Sequence, residues 1–386
     1  MDKKIYVTGV GAVSAIGLNA DENYTSLSRG LHGIGKLTLF ESIYGLPVGE
    51  VKIKSIEGLS RTAQLGLIAA KEAVADSNIT EEDIQENKIR VGIISSTTVG
   101  GMDITERIYP VENPSEMKNN LAQHPCAYST EYIAGHLGIG LYSATLSTAC
   151  SSAANAIIVA EKLIRNNILD CVIAGGCDSL CKFTYNGFNS LKILSGEHCK
   201  PFDDNRNGLN LGEGAGYMVL QNARTLKRTP YCTLSGCANA NDAFHQTASS
   251  PEGEGGYLAM TQALAKAGLN PGDIDYINVH GTGTPNNDSS EFAAMKRIWG
   301  DSFPPFSSTK CYTGHTLAAA GGLEAVFSEL SIKNGAIYAN LNCTSCNGIS
   351  PHSPCTEFIE GAEIKNVLSN SFGFGGNTST LVFSKI

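Results

Sequence analysis

The feature that most constrains the fold is an internal repetition of a strand, a polar turn and a buried helix. A strand ending in ATL runs into STAC at 147–150, and FSSTKC ends in the same way at Cys311. The helices predicted after these turns, at 153–164 and 317–330, are apolar on nearly every side. Because a helix without a polar face must be buried between layers, the repetition predicts two covered central helices.

Two further echoes occur in the same order along the chain. VGIISSTTVGG resembles YINVHGTGTP, and GYMVLQNA resembles the closing TLVFSKI. Strands alternate with helices, such as the one predicted at 62–77, which is typical of an α/β fold. The echoes therefore predict two similar halves, 1–229 and 230–386, unless short Ser/Thr strings simply recur by chance.

Composition and charge exclude several classes of protein. A chain of 386 residues that is 42% apolar can bury a large core. Its net charge of -9 comes from scattered acids, which argues against a nucleic-acid partner. No stretch approaches 18 apolar residues, and the N-terminal apolar run is short and broken by glycines. We therefore expect a cytoplasmic protein without a membrane partner.

The 12 cysteines give no sign of a metal site. Without a secretory signal they are expected to be mostly reduced thiols that pack as small core residues. Cys343 and Cys346 form a C-x-x-C, but the paired ligand spacing of a structural zinc site is missing. GVGAVSAIG lacks the G-x-G-x-x-G spacing, so a dinucleotide cofactor is not expected either.

Cys150 lies where a strand gives way to the first buried helix. The positive end of the helix dipole and nearby free N–H groups favour a thiolate there. Ala149, Ser151 and Ser152 are small and leave room for a substrate beside the sulfur. A buried, inert cysteine is the alternative, so the choice depends on which other residues accompany Cys150.

Two histidines are the candidate partners of Cys150. His280 ends a strand and opens GTGTP, whose glycines allow close backbone approach and whose hydroxyls suit a long polar arm of a substrate. His315 follows Gly314 and precedes the second buried helix. Each alone is more often structural, but a thiol with two imidazoles fits an activated nucleophile that carries an acyl group on sulfur.

Lys310 and a glycine-rich segment complete the candidate site. A lysine so close to an apolar segment should seek a carboxylate, with Glu291 or Asp288 as candidates, unless it is a solvated surface lysine. NSFGFGGN at 370–377 places two phenylalanines among glycines. Such a loop can open and close an acyl pocket with an aromatic plug.

Together, VTGVGAVSAIG, FDDNRNGLNLGEGAG, HGTGTP, TKCYTGH and NSFGFGG resemble the elongating β-ketoacyl-acyl-carrier-protein synthases over essentially the whole chain. The resemblance implies a thiolase-like α/β fold of two similar halves in five αβαβα layers, and a homodimer. It implies decarboxylative Claisen condensation of a Cys-bound acyl group with malonyl-acyl-carrier protein, extending a fatty-acid or polyketide/polyene chain by two carbons. Phosphopantetheine of the acyl carrier protein would carry the substrates, with no other cofactor.

The resemblance also assigns roles to residues. Cys150 matches the nucleophile, and His280 and His315 match the pair that assists decarboxylation and steadies the enolate. Lys310 matches the lysine that orders the second histidine, with Glu291 as its expected partner.

Further matches concern the substrate. Thr282 and Thr284 match residues that hold the pantetheine arm, and Thr105 falls at a position that lines the acyl pocket. The N–H groups of Cys150 and Phe374 would form the oxyanion hole, with Phe374 also acting as the gate.

The Cys-His-His set is that of the elongating branch. Initiating synthases use Cys-His-Asn and degradative thiolases a second catalytic cysteine, while chain-length-factor partners lack the nucleophile. Two alternatives stay open: a subunit of a heterodimeric ketosynthase that is active only with a partner chain, and a thiolase acting on coenzyme A thioesters.

Departures from the family pattern favour a specialised polyene or polyketide pathway. The loop at 194–202 is trimmed, and only Lys52, Lys54 and Arg61 remain of a basic cluster that docks the acidic carrier. Thr105 replaces a bulky apolar residue, and GFGGNT stands where the family usually has GFGGTN.

Overall fold

The computed structural model describes residues 4–86, 88–108, 120–346, 348 and 352–386. Its strands are β1 (Tyr6–Val13), β2 (Ile34–Gly35), β3 (Val48–Gly49), β4 (Val91–Ser96), β5 (Tyr142–Leu146), β6 (Cys171–Asp178), β7 (Gly214–Gln221), β8 (Cys232–Asn241), β9 (Tyr276–Asn278), β10 (Phe306–Ser307), β11 (Ala336–Ile337), β12 (Ile359–Glu360), β13 (Asn366–Gly373) and β14 (Asn377–Ser384).

The helices lie between these strands. They are α1 (Ala20–Ser28), α2 (Arg61–Asp76), α3 (Glu81–Gln85), α4 (Met102–Ile108), α5 (Cys126–His136), α6 (Ser152–Arg165), α7 (Lys182–Ser190), α8 (Glu254–Ala267), α9 (Pro285–Trp299), α10 (Lys310–Thr313) and α11 (Ala320–Asn334). Short 3-10 turns occur at Pro271–Asp273 and Leu317–Ala319. None of the described helices is both long and apolar enough to cross a bilayer.

The two halves of the chain build the same half-sheet. The ten-stranded sheet has the order β10-β9-β13-β14-β8-β1-β7-β6-β4-β5. Read outward from the centre, β1-β7-β6-β4-β5 and β8-β14-β13-β9-β10 share the same pattern of antiparallel and parallel pairs. The prediction of two similar halves is therefore confirmed. The half-sheets meet where Tyr6 pairs with Thr233 and Val7 with Cys232.

Helices cover and separate the half-sheets. Helix α2 packs on β1, β6 and β7, whereas α8 packs on β8 and β14 and contacts α9. Helices α6 and α11 contact each other and lie between the half-sheets, with α6 against β4 and β6 and α11 against β7 and β13. The predicted five-layered αβαβα arrangement is confirmed.

The central layer is packed backbone to backbone. Every residue of α11 from Ala320 to Ile332 is buried, as the all-round apolar pattern predicted. A Cβ atom on Gly322 would lie 2.4 Å from the carbonyl oxygen of Gly216 in β7, and one on Gly216 would lie 2.3 Å from the nitrogen of Leu323. Helix and sheet therefore touch with no side chain between them.

Candidate active site

Cys150 lies in the short turn between β5 and α6. Its side chain is buried at 6% exposure, and the backbone N–H of Phe374 donates to the sulfur. Ala149 has a φ of 54°, a left-handed conformation that is strained for a residue with a Cβ atom. The turn thus aims the sulfur at the beginning of the helix that starts at Ser152.

Burial controls the protonation of this thiol. Removal from water raises the pKa of Cys150 to about 12, although the charge of Lys310 lowers it. The negative charge of Asp178 raises it further. The start of a helix favours the thiolate, as the sequence indicates, but the desolvation cost of a buried thiolate is the larger effect on this pKa.

His280 is held by a buried carboxylate. Glu291 of α9 accepts the backbone N–H of His280 at 2.8 Å and that of Gly281 at 2.9 Å. The imidazole stacks on Phe372 with ring centroids 5.8 Å apart. It meets the ring of His315 edge to face at 5.3 Å, so the two predicted histidines lie side by side.

The hydrogen bond at His315 fixes its tautomer. The backbone N–H of Leu317 donates to Nδ1 at 3.3 Å, so the neutral ring carries its proton on Nε2. Burial lowers the pKa of His280 and of His315 well below the usual value, and the charge of Lys310 lowers both further. Both rings are therefore neutral at pH 7.

Lys310 pairs with Glu324 of α11, and both side chains are only 3% exposed. The expected partners Glu291 and Asp288 were wrong, because Glu291 is engaged by the His280 turn. Helix α11 instead presents Glu324 to Lys310. Burial raises the pKa of Glu324 to about 7, against the lowering effect of the lysine.

The GTGTP turn is built for close approach. The hydroxyls of Thr282 and Thr284 lie 2.8 Å apart. Asp288 accepts the N–H of Gly283 at 3.2 Å and that of Phe202 at 2.9 Å. Asp288 therefore anchors this turn and leaves both threonine side chains at the cavity wall.

A cavity of about 370 Å³ brings most of the predicted site together. Its lining includes the thiol, both imidazoles and both threonines, together with the apolar residues Phe188, Leu191, Ile193, Leu209, Phe372 and Phe374. The ring of Phe374 stacks on Phe188 with centroids 5.9 Å apart and planes inclined by 16°. The predicted gate thus packs against the apolar wall.

Thr105 does not line this cavity. Its hydroxyl donates to the carbonyl oxygen of Gly101 at 3.1 Å and lies 2.9 Å from Nδ1 of His124. These contacts hold its side chain against its own turn, and a contact between Thr105 and the substrate stays a prediction.

Arg61 is also unavailable for the role suggested by the sequence. Its guanidinium is 1% exposed and pairs with Glu213 at 2.7 Å. A buried, paired arginine cannot meet an acidic carrier. Only Lys52 and Lys54 of the expected basic cluster are exposed.

Asp178 was missed by sequence reasoning. Fully buried at the end of β6, it accepts the N–H of Val99 at 3.0 Å and that of Ala318 at 2.8 Å. It therefore ties the turn after β4 to the turn after His315. The sequence signal that could have identified it was a single acid, Asp178, at the end of the otherwise apolar strand CVIAGGCD.

The described cysteines form no metal centre. Cys343 and Cys346 are bonded to each other. Nowhere in the described ranges do three or more His, Cys, Asp or Glu side chains gather as metal ligands.

Comparison with known proteins decides the family. Residues 47–225 match the family description "Beta-ketoacyl synthase, N-terminal domain", and residues 231–344 match "Beta-ketoacyl synthase, C-terminal domain". The chain belongs to the β-ketoacyl synthase family. The 3-oxoacyl-[acyl-carrier-protein] synthase 2 of Staphylococcus aureus (strain COL) is 32% identical over 424 residues, covering 100% of this chain and 99% of that protein. The Rhizobium meliloti (strain 1021) protein of the same name is also 32% identical, with 99% of each chain covered.

Solved structures agree with this β-ketoacyl synthase in fold. The ishigamide ketosynthase/chain length factor matches with a TM-score of 0.93 and 27% identity over 99% of both chains. The structure of ketosynthase ApeO with its chain length factor ApeC, from Xenorhabdus doucetiae, matches with a TM-score of 0.87 and 31% identity over 99% of this chain and 98% of that one. The predicted family, fold class and acyltransferase function are confirmed.

Proposed function

We propose that this β-ketoacyl synthase loads an acyl group onto Cys150 and extends it with a malonyl unit, both delivered by an acyl carrier protein. One observation carries the proposal: a thiol and two neutral imidazoles line a single cavity. Cys150, His280 and His315 are the catalytic residues in this scheme.

Loading exchanges one thioester for another. The sulfur of Cys150 attacks the acyl carbonyl, and the carrier's pantetheine thiol leaves. Because the pKa of Cys150 is raised to about 12, the thiol proton must move as the carbon–sulfur bond forms. Because both nitrogens of His315 are already engaged, Nδ1 with the Leu317 N–H and Nε2 with its proton, the neutral imidazole of His280 accepts this proton and returns it to the leaving sulfur.

Decarboxylation then generates the carbon nucleophile. The bond between the malonyl methylene and its carboxylate breaks, carbon dioxide leaves, and the electron pair becomes a thioester enolate. His315 carries its proton on Nε2 and is a ready donor to the enolate oxygen. His280 supplies the second donor, and burial strengthens both hydrogen bonds.

Condensation closes the cycle. The enolate carbon attacks the acyl carbonyl on Cys150, and the sulfur leaves as a thiolate that is then protonated. The N–H groups of Cys150 and Phe374 would bind the oxyanion formed at that carbonyl. The contact between the Phe374 N–H and the sulfur supports this placement.

Positioning falls to the buried charges. Burial, assisted by the charge of Lys310, keeps both imidazoles neutral, and Glu291 holds the His280 turn. Thr282 and Thr284 receive the pantetheine arm at the cavity wall.

The gate and acyl pocket are formed by apolar side chains. Phe374 on Phe188 closes the apolar end of the cavity, where the acyl chain enters.

We assign residues 1–229 and 230–386 to the two halves, and place the enzyme in the cytoplasm.

The partner chain is the open choice within this function. A homodimer follows from the family resemblance, whereas the ishigamide and ApeO structures hold a chain length factor. The trimmed loop at 194–202 and the GFGGNT order support a specialised polyene or polyketide pathway with such a second chain.

The first experiment follows acyl loading. The purified protein is incubated with acyl-carrier thioesters of increasing length and unsaturation, and intact mass spectrometry reports the acyl group added to Cys150. Saturated chains alone would indicate fatty-acid elongation, and unsaturated or aryl chains a specialised pathway. Absence of loading with every carrier, with and without a second ketosynthase-like chain, would refute the function.

A second measurement separates the remaining alternatives. Condensation of acyl and malonyl carriers by the chain alone supports a self-sufficient enzyme, and activity only with a second ketosynthase-like chain supports the heterodimer. Condensation of two coenzyme A thioesters without malonyl substrate would instead identify a thiolase.

A further inference from the structure

A single amide oxygen gathers hydrogen bonds from three elements next to the gate. Oδ1 of Asn377, the first residue of β14, lies 2.7 Å from the hydroxyl of Ser151, whose one proton is shared with the carbonyl oxygen of Thr148 at 2.8 Å. The Asn377 oxygen also accepts from Nδ2 of Asn155 at 2.9 Å and from Nδ2 of Asn239 at 2.8 Å. The nucleophile turn, helix α6 and strand β8 thus converge on one atom.

The surrounding hydrogen bonds determine whether each side-chain amide presents its oxygen or its nitrogen to its neighbours in this cluster of Ser151, Asn155, Asn239 and Asn377. Nδ2 of Asn239 also donates to the carbonyl oxygen of Thr378 at 3.1 Å, which only an N–H can do. Because the same Asn239 nitrogen meets Asn377, the Asn377 atom is its oxygen, and the Asn155 atom that faces this oxygen at 2.9 Å is its nitrogen. Both side-chain amides therefore donate to the Asn377 oxygen.

The cluster holds the gate loop against the nucleophile. Ser151 follows Cys150 directly, and Asn377 ends the loop that contains Phe374. At the other end of the loop, a Cβ atom on Gly373 would lie 3.1 Å from the hydroxyl of Ser151. The loop is thus pinned on both sides of the N–H that donates to the sulfur.

We propose that Asn377 is a positioning residue that fixes the N–H groups of Cys150 and Phe374 relative to each other. The inference rests on the proposed function, in which these groups bind the oxyanion. It gives a physical reason for asparagine at this place in GFGGNT: its oxygen reaches three donors from three elements at once. Gly375 and Gly376, with φ values of 84° and 76°, make the turn that brings the chain from Phe374 to Asn377.

The test compares two replacements of similar size. Asn377→Leu removes the acceptor of the Asn155 and Asn239 amides and leaves the Ser151 hydroxyl only Thr148 as a partner, whereas Asn377→Asp keeps an acceptor oxygen in the same place. We expect Asn377→Leu to slow acyl loading of Cys150 by about 10- to 100-fold, the scale of a misplaced reacting group. The KM for the acyl carrier should change little, and Asn377→Asp should restore most of the rate.

A second readout is independent of carrier chemistry. Alkylation of Cys150 by iodoacetamide reports the thiolate fraction, which the Phe374 N–H increases. Asn377→Leu should slow alkylation about threefold or more, equivalent to about half a pKa unit, and Asn377→Asp should slow it less, although its added negative charge disfavours the thiolate. If the wild-type protein loads no acyl group, the proposed function fails, while the alkylation comparison still tests the positioning role.

A neighbouring variant provides the control. The hydroxyl of Thr378 donates to the carbonyl oxygen of Ala240 at 3.2 Å, away from the nucleophile turn, so Thr378→Val should behave as wild type in both assays. Wild-type rates in Asn377→Leu, or equal losses in Asn377→Leu and Asn377→Asp, would overturn the inference.

Discussion

The turn that carries Cys150 and the turn that carries His315 occupy the same place in the two halves but are built differently. Residues 147–151 connect β5 to α6, whereas residues 308–319 connect β10 to α11 and include α10 and a 3-10 turn. The short turn holds Ala149 at a φ of 54°, as the longer turn holds Leu317 at 55°, and sets the thiol at a helix start. The long turn has room for Lys310 and sets His315 beside the other imidazole.

The difference shows how one repeated scaffold separates two tasks. A tight turn next to a helix presents a nucleophile with backbone N–H groups. A longer turn buries Lys310, whose charge adds to burial in keeping the neighbouring imidazoles neutral. Each half therefore supplies what the other lacks.

Replacing each of the two matched cysteines by alanine, one at a time, is the sharpest test of this comparison. Cys150→Ala should reduce condensation by at least about 1000-fold, because the covalent intermediate cannot form. Cys311→Ala, at the echoed position, should keep the activity and lower only the free energy of unfolding. Steady-state kinetics with chemical denaturation checks both. Loss of condensation in the Cys311→Ala single variant would contradict the different roles assigned to the two turns.

Removing the buried cation tests the role of the longer turn. Lys310→Met should lower kcat by about 100-fold or more, the scale expected for a general acid–base group that is disabled. Lys310 lowers the pKa of His280 and of His315, so its loss raises both. A protonated ring cannot accept the thiol proton, and activity should therefore disappear at a higher pH on the acid side.

The pH–rate profile measures this shift. Lys310→Met/Glu324→Gln serves as the companion variant, since it removes the unpaired buried carboxylate that Lys310→Met creates. We expect it to recover stability more than activity. An acid limb that stays in place in Lys310→Met would contradict the assigned role.

The smallest expected effect concerns the strained alanine. Ala149→Val should lower the free energy of unfolding by about 1–2 kcal/mol more than Ala149→Gly, since a branched residue resists positive φ. Relief of strain in Ala149→Gly is offset by the greater freedom of glycine in the unfolded chain. Urea denaturation measures both, and equal stabilities would show that the turn is not strained.

Sequence alone predicted the residues that a local pattern marks. Cys150, His280 and His315 each follow a strand in a Gly/Ser/Thr-rich turn, and the structure brings them to one cavity. The ion pair was harder, because Glu291 lies near His280 in sequence whereas Glu324 is offered across the fold by α11. An acid within a helix that is apolar all round was the overlooked signal.

Other contacts depend on packing that no local pattern reports. Thr105 was placed at the substrate by alignment, yet its hydroxyl turns to Gly101 and His124. The three donors on Asn377 come from positions 151, 155 and 239, so only the folded chain brings them together. The order of elements within each half was predictable, because the echoes occur in the same order in both halves. The short pairing of β1 with β8 was not predictable.

The backbone contact between Gly216 and Gly322 acts as a spacer of fixed thickness. It sets how far the half that holds the sulfur stands from the half that holds the imidazoles, using two residues that have no side chain to adjust. A methyl group added at Gly216 or Gly322 would push the two halves apart without contacting any reacting atom. Much of this enzyme's tolerance to mutation is therefore decided in its middle layer, away from the chemistry it serves.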